Sequence, residues 1–295
     1  MPLPPPMPAR STAGGPIRCP SPPGFHRGRA LERRRAPWVK LALIAATVLA
    51  ASLVAGRWGH AAGGWLAGLP MIGGPIVGLL MLDIGAERGR ETCLATLRCH
   101  PALVAYLVTY AWAARRWRWP ACLGAALAVF FVLGGLLVAI DGPESGVVLL
   151  SVLAVVAGTR AATGLSAGLA PPARVTLPRA ELWSRVAAAV AMAAVVIGGS
   201  ASLPVAAAGL LLAVPISGLI LPCFTLPRHG AAATVALLRG FIVGQIGFSA
   251  FFISMLALLP ALPGSLAWTA AMLAAAATPV AVQHLRAAAA RRAAQ

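Results

Sequence analysis

Asp and Glu total only 7 in 295 residues, lysine occurs once, at Lys40, and 11% of the chain is charged. That leaves too little polar surface to cover a soluble globular domain. No apolar span carries a central Asp or Glu, which argues against a carboxylate relay. H-E-x-x-H is missing, as are any cluster of His, Cys and acids spaced for a metal and any phosphate-cradling loop followed by lysine. ATP-driven chemistry by this chain alone is therefore not expected, and no cofactor is. The five cysteines, Cys19, Cys93, Cys99, Cys122 and Cys223, form no C-x-x-C pair and read as small packing residues. Gly164-Leu165-Ser166-Ala167-Gly168 matches G-x-S-x-G, but no strand precedes it, so it does not read as a nucleophile elbow. The chain does not read as an enzyme.

What the sequence has in abundance is apolar length. With 59% hydrophobic residues and a mean hydropathy of +0.84, it reads as a polytopic membrane protein whose first partner is lipid. The net charge of +17 sits in loops and tails between apolar runs, so it reads as a topology signal and not as a nucleic-acid surface.

Residues 1–37, rich in Pro and Arg, have no apolar periodicity and are expected to be disordered. They also fit an extension from an upstream start, and Arg33–Arg35 followed by residues 41–54 imitate a signal peptide. Nine apolar spans follow, at about 39–56, 61–82, 92–113, 119–140, 146–159, 184–200, 205–226, 231–259 and 264–284, with eight to ten as the bounds.

Two of these spans, the second and the seventh, carry Pro and Gly in their middles: Trp65–Pro75 (WLAGLPMIGGP) and Leu210–Pro222 (LLLAVPISGLILP). A constant offset of 145 relates them without a gap, matching Pro70 with Pro215, Gly73 with Gly218 and Gly85 with Gly230. The same register pairs His100 with Gln245, Tyr106 with Phe251 and Thr109 with Ser254. The expected architecture is all-α: a bundle of two four-helix repeats, 38–140 and 183–286, each with a Gly/Pro-broken second helix. Residues 141–182 hold a connecting span and loop, and 287–295 form a basic tail. If the short fifth span crosses the membrane, the repeats are inverted; if not, they are parallel.

The positive-inside rule supports the crossing. With the first span starting outside, Arg57, Arg115, Arg116, Arg118, Arg160, Arg174, Arg179, Arg185, Arg228, Arg286, Arg291 and Arg292 fall inside, placing the C-terminus in the cytoplasm. Only Arg88 and Arg90 fall outside, offset by Asp83, Glu87 and Glu91. Arg33–Arg35 contradict this arrangement unless the tail is foreign to the native product or an early segment is re-entrant.

The run RWGHAAGGWLAGLPMIGGP (57–75), with Leu238-Arg239-Gly240 in the second half, resembles a group of bacterial integral membrane proteins sharing RRWG, GGWLxGLP and GP elements, and the chain is expected in the bacterial inner membrane. The group has no established activity, so the resemblance carries over no functional residue. The layout is similar to that of inverted-repeat secondary transporters, in which interrupted helices at matching positions of two repeats form the site.

Candidate substrate contacts are therefore Pro70, Gly73, Gly74 and Pro75 in one break and Pro215, Ser217 and Gly218 in the other. Arg98, His100, Arg239 and Gln245 join them, because charged and polar groups within spans are costly unless they face a partner or cavity. Two cations at comparable depth suit a small, anionic organic solute, moved as one repeat rocks against the other. The bland reading is kinked packing helices: Gly64/Gly68, Gly74/Gly78 and Gly240/Gly244 are spaced for close helix approach. A non-transporting scaffold is the rival function, and a homo-oligomer is compatible with either.

Overall fold

The computed structural model of the protein describes residues 25–140, 142–170, 178–200 and 214–293. Met1–Trp38 and Val39–Gln295 form separate units, and the helical bundle is the second of them. Every described element is a helix, which, like a closed barrel, lets the backbone satisfy itself where lipid supplies no hydrogen-bond partner. The helices are α1 (Phe25–Trp58), α2 (His60–Gly68), α3 (Gly73–Ile84), α4 (Ala86–Ala113), α5 (Trp119–Ala139), α6 (Glu144–Ser166), α7 (Arg179–Ser200), α8 (Ile216–Leu258) and α9 (Gly264–Ala293). α1 begins inside the Pro/Arg-rich tail, whose residues 1–24 lie outside the described residues, as do 205–213 of the seventh expected span. The basic C-terminal segment continues α9 as helix to Ala293.

Among the described residues, six stretches are long and apolar enough to cross a membrane: Leu41–Trp58, His60–Leu82, Trp119–Ala139, Glu144–Ser166, Ile216–Leu258 and Gly264–Leu285. They point to a membrane-embedded protein. α4, which carries Glu87, Arg88, Arg90, Glu91, Arg98 and His100, falls below that measure, as does α7, opened by Arg179, Glu181 and Arg185.

α8 is two helices in one. Gly230 (φ 78°, ψ −177°) interrupts it in a conformation closed to side chains with a Cβ. In a straight helix Gly218 and Phe241 would lie about 35 Å apart. Instead a Cβ on Gly218 would sit 3.4 Å from the Phe241 ring, so the arms 216–229 and 231–258 fold back on each other. Gly85 (φ 96°, ψ 166°) does the same between α3 and α4, bringing Met81 against Gly89.

The fifth expected span is a full helix. α6 starts beside α4 with the Arg90–Glu144 ion pair, passes His100 at Ser151 and Val104 at Gly158, and ends with Gly164 and Leu165 near Trp112. It therefore runs parallel to α4 over its length. The second arm of α8 runs the opposite way to α4, with Gln245 at His100 and Ile242, through Gly158, near Val104.

Burial repeats along the chain. Cys122, Ala126 and Phe130 are the buried face of α5, and Ala267, Ala271 and Ala275 that of α9. Ile44 and Val48 are buried on α1, and Ala189 and Ala193 on α7. On α4 Leu97, His100, Tyr106 and Leu107 are buried, as are Ile242, Gln245, Phe251 and Phe252 on the second arm of α8. Each residue in these sets stands 145 positions from its counterpart.

Candidate functional site

α2 and the second arm of α8 are pressed backbone to backbone. A Cβ on Gly64 would overlap the Leu237 carbonyl, one on Gly68 the Phe241 carbonyl, and one on Gly240 the Ala61 carbonyl. A Cβ on Gly244 would meet the Trp65 carbonyl and lie 2.7 Å from Gly68 Cα. The two small-xxx-small faces interlock, as their spacing leads one to expect.

Immediately beyond this seam the helix stops. Leu69–Ile72 is irregular, with Pro70 buried, the Met71 N–H turned to the Leu69 carbonyl (2.7 Å) and the Gly74 N–H to the Pro70 carbonyl (2.8 Å). The Gly68 carbonyl thereby lacks a continuing helix to pair with, and the Gln245 side-chain Nε2–H donates to it at 3.2 Å. This bond fixes which way the Gln245 amide points. Its Oε1 then faces His100 Nε2 at 2.9 Å and must receive a proton from it. His100 Nδ1 is left facing Ser151 Oγ at 2.8 Å and, more distantly, Ser249 Oγ at 3.4 Å. In neutral His100, Nδ1 accepts from Ser151; in charged His100 it would donate to either serine. The ring stacks on Phe248 with 5.2 Å between centroids, and the imidazole is 1% exposed. Four segments of chain thus meet in one buried network whose members include no acid, arginine or lysine.

At the second Pro/Gly stretch, described from Val214 onward, a side chain again meets a helix carbonyl. Pro215 precedes α8, and Pro222 removes the N–H that the Gly218 carbonyl would otherwise accept. The Tyr106 hydroxyl donates to that carbonyl at 3.3 Å. Ser217 and Gly218 are buried beside it. Positions match across the two breaks: a Cβ on Gly73 would lie 3.3 Å from Phe252, and one on Gly218 3.6 Å from Leu107.

The structure therefore brings Pro70, His100 and Gln245 to one place, with Gly73 on Phe252. Gly74 and Pro75 lie in the first turn of α3, where the Trp268 indole N–H donates to the Gly74 carbonyl at 2.8 Å. Tyr106 meets the Gly218 carbonyl, Pro215 packs against Gly218, and Ser217 is buried next to it in the chain. Arg98 is half-buried and lies on another side of α4, since residues two apart in a helix point about 200° from each other. Arg239 is exposed and lines a 960 Å³ cavity between α2, the second arm of α8 and the ends of α6 and α9. The two arginines are thus not equivalent in their surroundings, because one lies within the α4 packing and the other faces open space.

Sequence reasoning missed Ser151 and Ser249, since a serine in an apolar span carries no signal until its neighbour is known. It also missed a charged cluster at the start of α7. Arg185, expected at the membrane surface, is 1% exposed and is held by Glu181 through Nε (3.1 Å) and Nη2 (2.6 Å). Arg228 reaches the other oxygen of Glu181 at 3.1 Å, and the His60 and His229 rings pack at 5.0 Å. The four-residue spacing of Glu181 and Arg185 was the available clue. Among the described residues no group of three or more His, Cys, Asp or Glu could hold a metal ion.

No protein-family model matches the chain, and neither a curated protein nor a solved structure is significantly similar to it.

Proposed function

We propose that this chain is a secondary transporter of the bacterial inner membrane, built from two inverted copies of a four-helix unit and moving a small organic anion by alternating access. The observation that carries the reading is the contact of His100 with Gln245. Residues at equivalent positions of two copies can touch each other only beside a two-fold axis, and these two touch within 3 Å, on antiparallel helices, directly under a broken span. The shared positive φ of Gly85 and Gly230, the repeated burial pattern and the reciprocal Gly73–Phe252 and Gly218–Leu107 contacts support the same axis. α6 supplies the odd crossing that inversion requires.

Charge supports the orientation. Arg57, Arg115, Arg116, Arg118 and Arg228 gather at one end of the bundle, and Glu87, Arg88, Arg90, Glu91 and Glu144 at the other. The basic end is the cytoplasmic one. The burial of Pro70, Ser217 and Gly218 corresponds to an occluded state. It is also the one observation that favours a static scaffold.

Labelling separates the two. On a background lacking the native cysteines, Ser217→Cys is treated with a membrane-impermeant thiol reagent in right-side-out and inside-out vesicles. A transporter exposes the site in turn, so labelling proceeds from both sides, and loop cysteines at 114–118 and 142–144 label from opposite sides. Labelling from neither side in a folded variant is the scaffold result.

A further inference from the structure

We infer that the cavity holding Arg239 is a binding site for a single-chain amphiphile with a carboxylate head. This deepens the transporter reading by naming the class of solute; it rests on that reading for the fate of the ligand but not for its binding.

The cavity measures about 960 Å³ and its walls are apolar, with Val235, Ile246 and Val280 among them and Trp65 as the aromatic face. Among the described residues, Ser166 and Gln283 are its other polar aliphatic side chains, and no acid lines it. Arg239 stands in the wall about 13 Å along the helix from Gly230, and it has no ion-pair or hydrogen-bond partner among the described residues. A guanidinium exposed into an apolar-walled cavity with its donors unused is matched by an anion with two acceptor oxygens in one plane. One cation with no opposing acid matches a single negative charge. The apolar remainder of the wall takes a hydrocarbon body. The volume lies at the upper end of the roughly 300–1,000 Å³ typical of sites for drug-sized ligands, which suits one chain better than the paired chains of a bilayer phospholipid. The position fits as well: Trp65 and Gly240 belong at once to the cavity wall and to the α2–α8 seam, a turn or so from Gly68 and Gln245 of the polar network.

The test uses the full chain in phosphatidylcholine nanodiscs, with 12-bromododecanoate as probe and 12-bromododecanol as its uncharged twin. Bromine quenches tryptophan at contact, and the difference between the wild type and Trp65→Phe isolates Trp65 from the other tryptophans. The acid is expected to quench Trp65 saturably, with the alcohol and Arg239→Gln each weaker by about tenfold or more and Arg239→Lys intermediate. Equal binding of acid and alcohol, or an unchanged Arg239→Gln, would overturn the inference. If Arg239→Gln does not fold, the acid–alcohol contrast on the wild type decides alone. A second set of nanodiscs contains phosphatidylglycerol; if that lipid displaces the acid competitively, the occupant is a bilayer headgroup and the carboxylate reading is lost. Flux of dodecanoate into liposomes is measured on the same preparation. Saturable binding without flux keeps the site and sinks the transporter, whereas flux without Arg239-dependent binding does the reverse.

Discussion

The molecule solves the problem of buried polarity twice, by opposite means. At the centre, His100, Gln245, Ser151 and Ser249 are joined by hydrogen bonds, with no acid or arginine among them. At the start of α7, Glu181 and Arg185 are ions, tied to each other by two hydrogen bonds and to Arg228 by a third. Neutral groups exchange partners at little cost, because no charge is stranded while they do so; an ion pair taken out of water is locked, because separating it leaves a bare charge behind. The centre is the place that can rearrange, and the α7 cluster is the place that cannot.

This contrast sets the order of expected losses. Glu181→Ala strands Arg185 and is expected to cost about 3–5 kcal/mol, read as a fall in the denaturant midpoint in detergent, and a further Arg185→Met should recover most of it. If the single substitution is mild, the cluster is not a lock and the contrast fails. Gly240→Ala places a methyl on the Ala61 carbonyl and should cost about 1–3 kcal/mol in the same assay. Gly124→Ala, on α5 with nothing near its Cβ, should be neutral or slightly stabilising. His100→Ala leaves the Gln245 Oε1 and the Ser151 hydroxyl without their His100 partner and should also cost about 1–3 kcal/mol, with His100→Gln recovering part of it. A loss at His100 larger than that at Glu181 would invert the comparison. Tyr106→Phe removes one long hydrogen bond to Gly218 and should cost about 0.6 kcal/mol, the smallest loss of the series.

The features legible in the sequence were those that backbone chemistry dictates. Pro70 interrupts its span at Leu69–Ile72 because it cannot donate within a helix, and Gly85 and Gly230 mark turns that only glycine makes. The glycine spacings showed where helices could touch. The offset linking His100 to Gln245 named two polar residues worth pairing, although nothing in it said that they would meet each other. Partners chosen by tertiary placement were not legible: Ser151 matters because α6 passes α4 at that turn, and Trp65 because α2 faces a cavity. Arg185 read as a surface charge because a positive residue near a span end usually is one. Only the approach of Arg228 from α8, 47 positions from Glu181, completes the buried cluster.

The glycine seam also constrains the machinery. α2 comes from the first half of the chain and the second arm of α8 from the other, yet no space remains between their backbones for a sliding motion. Under the transporter proposal, any moving body would carry both together, so the mechanical bodies would not be the two halves but composites that each borrow a helix from the other. A pair of spin labels, one on each of these helices, should keep a single separation in every state of the protein, while labels across the broken segments should not.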